Sequence, residues 1–79
     1  MKVEVKLPEL GMGIHSATLN FWYLDEGDMV TQGDDLVELT TDRMTFNLPS
    51  PSTGRIKKIY VNEGETIQIG TTLAIIEEK

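Results

Sequence analysis

Tyr23-Leu24-Asp25-Glu26-Gly27-Asp28-Met29-Val30 is answered further along the chain by Tyr60-Val61-Asn62-Glu63-Gly64-Glu65-Thr66-Ile67. The offset of 37 residues, Tyr23 to Tyr60, also carries Leu19 to Ile56, Gly33 to Gly70 and Leu36 to Leu73 without a gap. Two similar halves of a β domain would each leave an open sheet edge and a bare apolar face. The expected solution is that they pair about a two-fold pseudo-axis as two facing antiparallel sheets, burying both. Gly27 and Gly64 then fall in equivalent turns, where a positive φ is least costly without a Cβ.

Around this repeat the chain alternates apolar and polar residues with the period of half-buried strands. Val3, Val5 and Leu7 against Lys2, Glu4 and Lys6 is the first case. Further strands are expected over 17–24, 36–41, 44–48, 54–61 and 72–76, punctuated by glycine and proline, and no stretch reads as a helix of useful length. The fold class is therefore all-β, a sandwich or barrel. Its expected core comprises Val5, Leu19, Trp22, Val30, Leu36, Ile56, Ile59, Ile67 and Leu73. Continuing the offset from Asp42-Arg43 reaches Lys79, so the pseudo-axis should set the termini opposite the 42–43 turn.

Seventy-nine residues hold one modest core, so residues 1–79 are expected to form a single domain. No cysteine is present, which removes disulfides, thiolate metal sites and cysteine nucleophiles and makes cytoplasm or an organelle matrix the expected compartment. The net charge of −6 repels nucleic-acid phosphates and anionic lipid surfaces alike. No apolar run is long enough to span a membrane, and none follows Met1-Lys2-Val3-Glu4 as a signal-peptide core would.

Catalytic constellations are scarce. His15 is the only histidine, and it follows Gly11-Met12-Gly13-Ile14 in an expected surface loop, where a solvated imidazole is the simplest reading. Asp34-Asp35 and Glu77-Glu78 are short acid pairs in a turn and near the terminus, read as solvated charge. With no nucleophile–base pair and no phosphate loop, the domain is expected not to be an enzyme. Of Phe21, Trp22 and Tyr23, alternation buries one face only. Trp22 is assigned to the core, leaving an exposed aromatic patch from its two neighbours as the lesser reading. Lys57-Lys58 is read as a solubilising strand face in preference to a docking patch.

The stretch Leu39-Thr40-Thr41-Asp42-Arg43-Met44-Thr45-Phe46 joins two alternating segments, so a tight hairpin should put the Arg43 side chain at an exposed tip. Here the sequence resembles the lipoyl domains of the biotinyl/lipoyl-attachment family, found in the dihydrolipoyl acyltransferase component of 2-oxo acid dehydrogenase complexes. The resemblance runs from Val5 to Ile76. It includes Leu7-Pro8-Glu9-Leu10-Gly11, Glu26-Gly27-Asp28 followed by Gly33-Asp34 and Leu36, Thr41-Asp42, Pro49-Ser50-Pro51 with Gly54, and Glu63-Gly64-Glu65 with Gly70.

What the resemblance implies is a flattened barrel of two four-stranded sheets whose hairpin tip carries a lysine that lipoate ligase acylates with lipoate. The lipoyl arm then serves the 2-oxo acid dehydrogenase and dihydrolipoyl dehydrogenase components. The site residues it implies are Thr41, Asp42, Met44 and, at the lysine position, Arg43. A guanidinium offers no free amine to attack an activated acyl group, so no covalent lipoate is expected on this chain. Lys57 and Lys58 are expected mid-strand, and Lys2, Lys6 and Lys79 near the termini, so none substitutes. Thr40, where the family often has glutamate, is a second departure. The readings left open are a carrier domain silenced by Arg43, a divergent lipoyl-like domain acting as an acidic docking module, and a biotinyl carrier-like domain. The last is disfavoured because that branch has methionine on both sides of its lysine and only Met44 agrees here. The isolated domain is expected to be monomeric.

Overall fold

The computed structural model describes residues 1–78. Their strands are β1 (Lys2–Lys6), β2 (Ser16–Trp22), β3 (Met29–Val30), β4 (Asp35–Thr40), β5 (Thr45–Pro49), β6 (Gly54–Ile59), β7 (Thr66–Gln68) and β8 (Thr72–Glu78), and no helix occurs among the described residues. They form two four-stranded sheets, ordered β1-β8-β6-β3 and β5-β4-β2-β7, and all the strand pairs are antiparallel. The all-β sandwich expected from the sequence is the fold observed.

The repeat in the sequence is a symmetry of the backbone. The 37-residue offset turns β2, β3 and β4 into β6, β7 and β8, and each sheet order maps onto the other once β5 is matched with β1. Each half lends its short strand to the other's sheet: β3 pairs with β6, and β7 with β2. Hydrogen bonds repeat in the same way. Gly27 N–H donates to the Ile56 carbonyl and Gly64 N–H to the Leu19 carbonyl, both at 2.7 Å, while Tyr23 N–H to Leu36 O and Tyr60 N–H to Leu73 O are both 2.9 Å. Gly27 and Gly64 have φ of 93° and 88°, a conformation in which a Cβ would clash with the chain's own carbonyl.

The pairing extends to the ends of the chain. Thr41 N–H donates to Met44 O at 2.8 Å across the β4–β5 tip, and Glu78 N–H donates to Met1 O at 2.7 Å between β8 and β1. The pseudo-axis therefore exchanges the 42–43 tip with the chain ends. Lys79, the formal equivalent of Asp42, lies outside the described residues.

The core forms where the two inner faces meet. Val5, Leu19, Val30, Leu36, Ile56, Ile67 and Leu73 are buried as expected, joined by Leu7, Val37, Leu39, Leu48, Ala74 and Ile76. Trp22 and Ile59 depart from the expectation: they pack on the core but are only partly buried. A register shift in β2 between Leu19 and Phe21 and its equivalent in β6 between Ile56 and Lys58 are β-bulges. Each bulge turns two successive residues outward and resets the alternation, so residues 22 and 59 still face inward beyond it. They do so near the strand ends, where the sheets part to leave a cleft of about 530 Å³ lined by Trp22, Leu24 and Glu26 and their equivalents Ile59, Val61 and Glu63. The indole N–H of Trp22 donates to Val61 O at 3.0 Å.

Candidate functional site

The tip between β4 and β5 is built by Thr41. A two-residue hairpin turn normally takes positive φ at its central residues, yet no non-glycine residue here has one. The ladder is closed instead by a side chain. Thr41 Oγ1 accepts from the backbone N–H of Arg43 and of Met44, both at 3.1 Å, while Thr41 N–H holds Met44 O. A hydroxyl that gathers the two following amides is the Ser/Thr turn, a local alternative to the missing backbone bond.

That arrangement leaves Asp42, Arg43 and Met44 exposed and Thr41 half-buried beneath them. Met44 is 42% accessible, too open to be counted as core. No hydrogen bond among the described residues engages the Asp42 carboxylate or the Arg43 guanidinium. The guanidinium lies beside the β1–β2 loop, since a Cβ at Gly13 would stand 3.7 Å from Arg43 Nη2. This loop, residues 7–15, is where the halves differ most in length, because the equivalent connection from β5 to β6 is only 50–53. Thr40 is not a loose replacement: its Oγ1 accepts from Asn20 Nδ2 at 2.6 Å and lies 3.0 Å from Thr45 Oγ1.

The structure thus brings Thr41, Asp42, Arg43 and Met44 together at one projecting turn. The sequence does not by itself reveal the capping role of Thr41, although a threonine two residues before a tip is a recognisable turn signal. Thr41→Val, which keeps the shape and removes the hydroxyl, is expected to cost about 1 kcal/mol. Hydrogen exchange should show the Arg43 and Met44 amides losing protection while core amides keep theirs, and Thr41→Ser should restore it.

His15 is exposed, with its backbone carbonyl accepting from Ile69 N–H at 3.0 Å. Among the described residues no group of three or more His, Cys, Asp or Glu side chains is placed to hold a metal ion.

A family model described as biotin-requiring enzyme, the biotin/lipoyl model, matches residues 3–76. The chain belongs to the biotin/lipoyl-attachment family. A dihydrolipoyllysine-residue succinyltransferase component of the 2-oxoglutarate dehydrogenase complex from Bartonella vinsonii is 35% identical over 98% of this lipoyl-type chain, which covers 19% of that relative. A dihydrolipoyllysine-residue acetyltransferase component of the pyruvate dehydrogenase complex from Acholeplasma laidlawii is 40% identical over 92% of the chain and 13% of the relative. The chain thus spans a fifth or less of these proteins. The solution structure of the lipoyl domain of the Azotobacter vinelandii 2-oxoglutarate dehydrogenase complex superimposes with a TM-score of 0.79 at 26% identity, covering 96% of each chain.

An amide-linked group needs a lysine amine, and the 42–43 tip has none. Arg43 supplies a delocalised cation without a free amine. The lysines that the structure describes, Lys2, Lys6, Lys57 and Lys58, lie on β1 and β6 in the opposite sheet.

Proposed function

We propose that the chain is a lipoyl-type domain of the acyltransferase component of a 2-oxo acid dehydrogenase complex, with a presentation site that cannot be acylated as it stands. The observation that carries the reading is the Thr41-capped hairpin holding Arg43 exposed at its tip, the position that we assign to the family's lysine. On this reading the domain is a monomeric carrier module with no catalysis of its own. Its partners are the 2-oxo acid dehydrogenase and dihydrolipoyl dehydrogenase components and lipoate ligase, in the cytoplasm or the mitochondrial matrix. The turn supplies position and exposure, and Arg43 withholds the nucleophile. The test is the mass of the chain after incubation with lipoate ligase, ATP and lipoic acid, beside Arg43→Lys.

Arg43 itself favours a second reading, a divergent domain that docks through its acidic surface. The net charge of −6 would steer it toward a basic partner surface. Binding to a dehydrogenase component should then weaken steeply with added salt.

A further inference from the structure

The pseudo-axis relates the outer faces of the two sheets, so what fills a position on one shows what is missing at the same position on the other. On the β5-β4-β2-β7 face the bulge turns Phe21 outward, where its ring meets Tyr23 edge-on with centroids 4.9 Å apart. The Tyr23 hydroxyl donates to Asn47 Oδ1 at 2.9 Å. On the β1-β8-β6-β3 face the matching bulge turns Lys58 outward in place of Phe21. Tyr60, the equivalent of Tyr23, is left without a ring beside it and is 55% accessible. None of the hydrogen bonds among the described residues uses its hydroxyl. A hollow of about 360 Å³ remains, lined by Lys2, Lys57, Lys58, Tyr60 and Ile75.

The charge of this face opposes that of the chain. Arg43 aside, every lysine and arginine that the structure describes lies on β1 or β6, in this one sheet: Lys2, Lys6, Arg55, Lys57 and Lys58. The acids on the same sheet, Glu4, Glu77 and Glu78, offset it only in part, three carboxylates against five basic side chains. Glu4 accepts from Thr72 Oγ1 at 2.8 Å, and Glu77 sits 3.9 Å from Lys57 Nζ with both side chains about half exposed, a pairing weak enough to exchange.

We propose that this hollow docks an acidic segment of a partner protein that carries an aromatic side chain. The ring seats on Tyr60 and Ile75 as Phe21 seats on Tyr23, and flanking carboxylates pair with Lys2, Lys57 and Lys58. Both halves of the recognition come from this molecule: the internal aromatic pair defines the shape that fills the position, and the three lysines define the sign. The proposal is independent of whether the tip carries a group.

The test is an NMR titration of the full chain with the capped peptide Asp-Glu-Phe-Glu-Asp. Saturable shifts are expected at amides of β1, β6 and β8, with affinity at least about fivefold weaker for each of three controls: alanine in place of the phenylalanine, Asn and Gln in place of the acids, and Lys57→Gln/Lys58→Gln in the domain. Raising NaCl to about 0.5 M should also weaken binding. Lys58→Phe is the decisive variant, because its ring should stack on Tyr60 and remove peptide binding without lowering the melting temperature. If Lys58→Phe does not fold, Lys2→Gln/Lys57→Gln carries the test instead. No saturable shift, shifts confined to the other sheet, or indifference to the phenylalanine would overturn the proposal. So would binding to phosphatidylserine vesicles without binding to the peptide, which would make the face a lipid surface.

Discussion

Incubated with lipoate ligase, ATP and lipoic acid, Arg43→Lys should gain the mass of one lipoyl group while the unaltered chain gains none. Amide formation needs a nitrogen lone pair directed at the activated carbonyl. A lysine amine exposes one whenever it loses its proton, whereas a guanidinium delocalises its nitrogen electrons and stays protonated. The turn already holds the position exposed. Thr41 gathers the amides on either side of the position, and both neighbours of residue 43 face solvent. Because Arg43 is exposed and has no positive φ, replacing it should change stability by no more than about 0.5 kcal/mol. Modification of the unaltered chain at any lysine would remove the argument that Arg43 silences it. A folded Arg43→Lys that stays unmodified would instead point to recognition lost elsewhere, at Thr40 first, and would favour the acidic docking module.

Gly54→Ala should be the most damaging small substitution in the domain. Gly54 is buried at the start of β6 and is paired with both Val30 of β3 and Glu78 of β8. A Cβ there would run into the Glu77 carbonyl oxygen and stand 2.8 Å from its carbon and 3.0 Å from Glu78 Cα. These are backbone atoms held in a ladder and cannot rotate aside as a side chain tip would. Relief requires prising β8 from β6, the centre of its sheet. A loss of about 3 kcal/mol or more is expected. For a domain of this size that is a fall in Tm of about 15 °C, measurable by circular dichroism. Gly64→Ala provides the contrast: its Cβ meets no atom beyond its own chain neighbours, so only the local strain of φ at 88° remains, about 1 kcal/mol. Equal losses at the two positions would show that close approach at Gly54 is not what fixes it.

The long strands were legible because alternation over five or more residues, bounded by glycine and proline, has few other readings. β3 and β7 were not, since Met29–Val30 and Thr66–Gln68 are too short to establish a period. They exist because the repeat places them beside the opposite half. The bulges also escaped pattern reading, and with them the partial exposure of Trp22 and Ile59, because one extra residue shifts the phase and looks like noise in a periodic signal. At the tip, exposure of Arg43 followed from the two converging strands. The work of Thr41 did not, because it depends on where two amides point after the chain has turned. Lys57-Lys58 read as ordinary solvated charge until the equivalent Phe21–Tyr23 pair gave the position a counterpart.

The bond from Glu78 N–H to Met1 O, set against the one from Thr41 N–H to Met44 O, has a topological meaning. The chain is a ring cut once, and the cut falls at one of two interchangeable corners. Opened instead between Asp42 and Arg43, and joined by a short turn from Glu78 to Met1, the same residues would meet the same neighbours in the same sheets. Such a circular permutant keeps every ladder and forfeits only the closed corner. Which corner presents a side chain is therefore a choice the architecture leaves free, settled by the residue placed at the corner that stays closed.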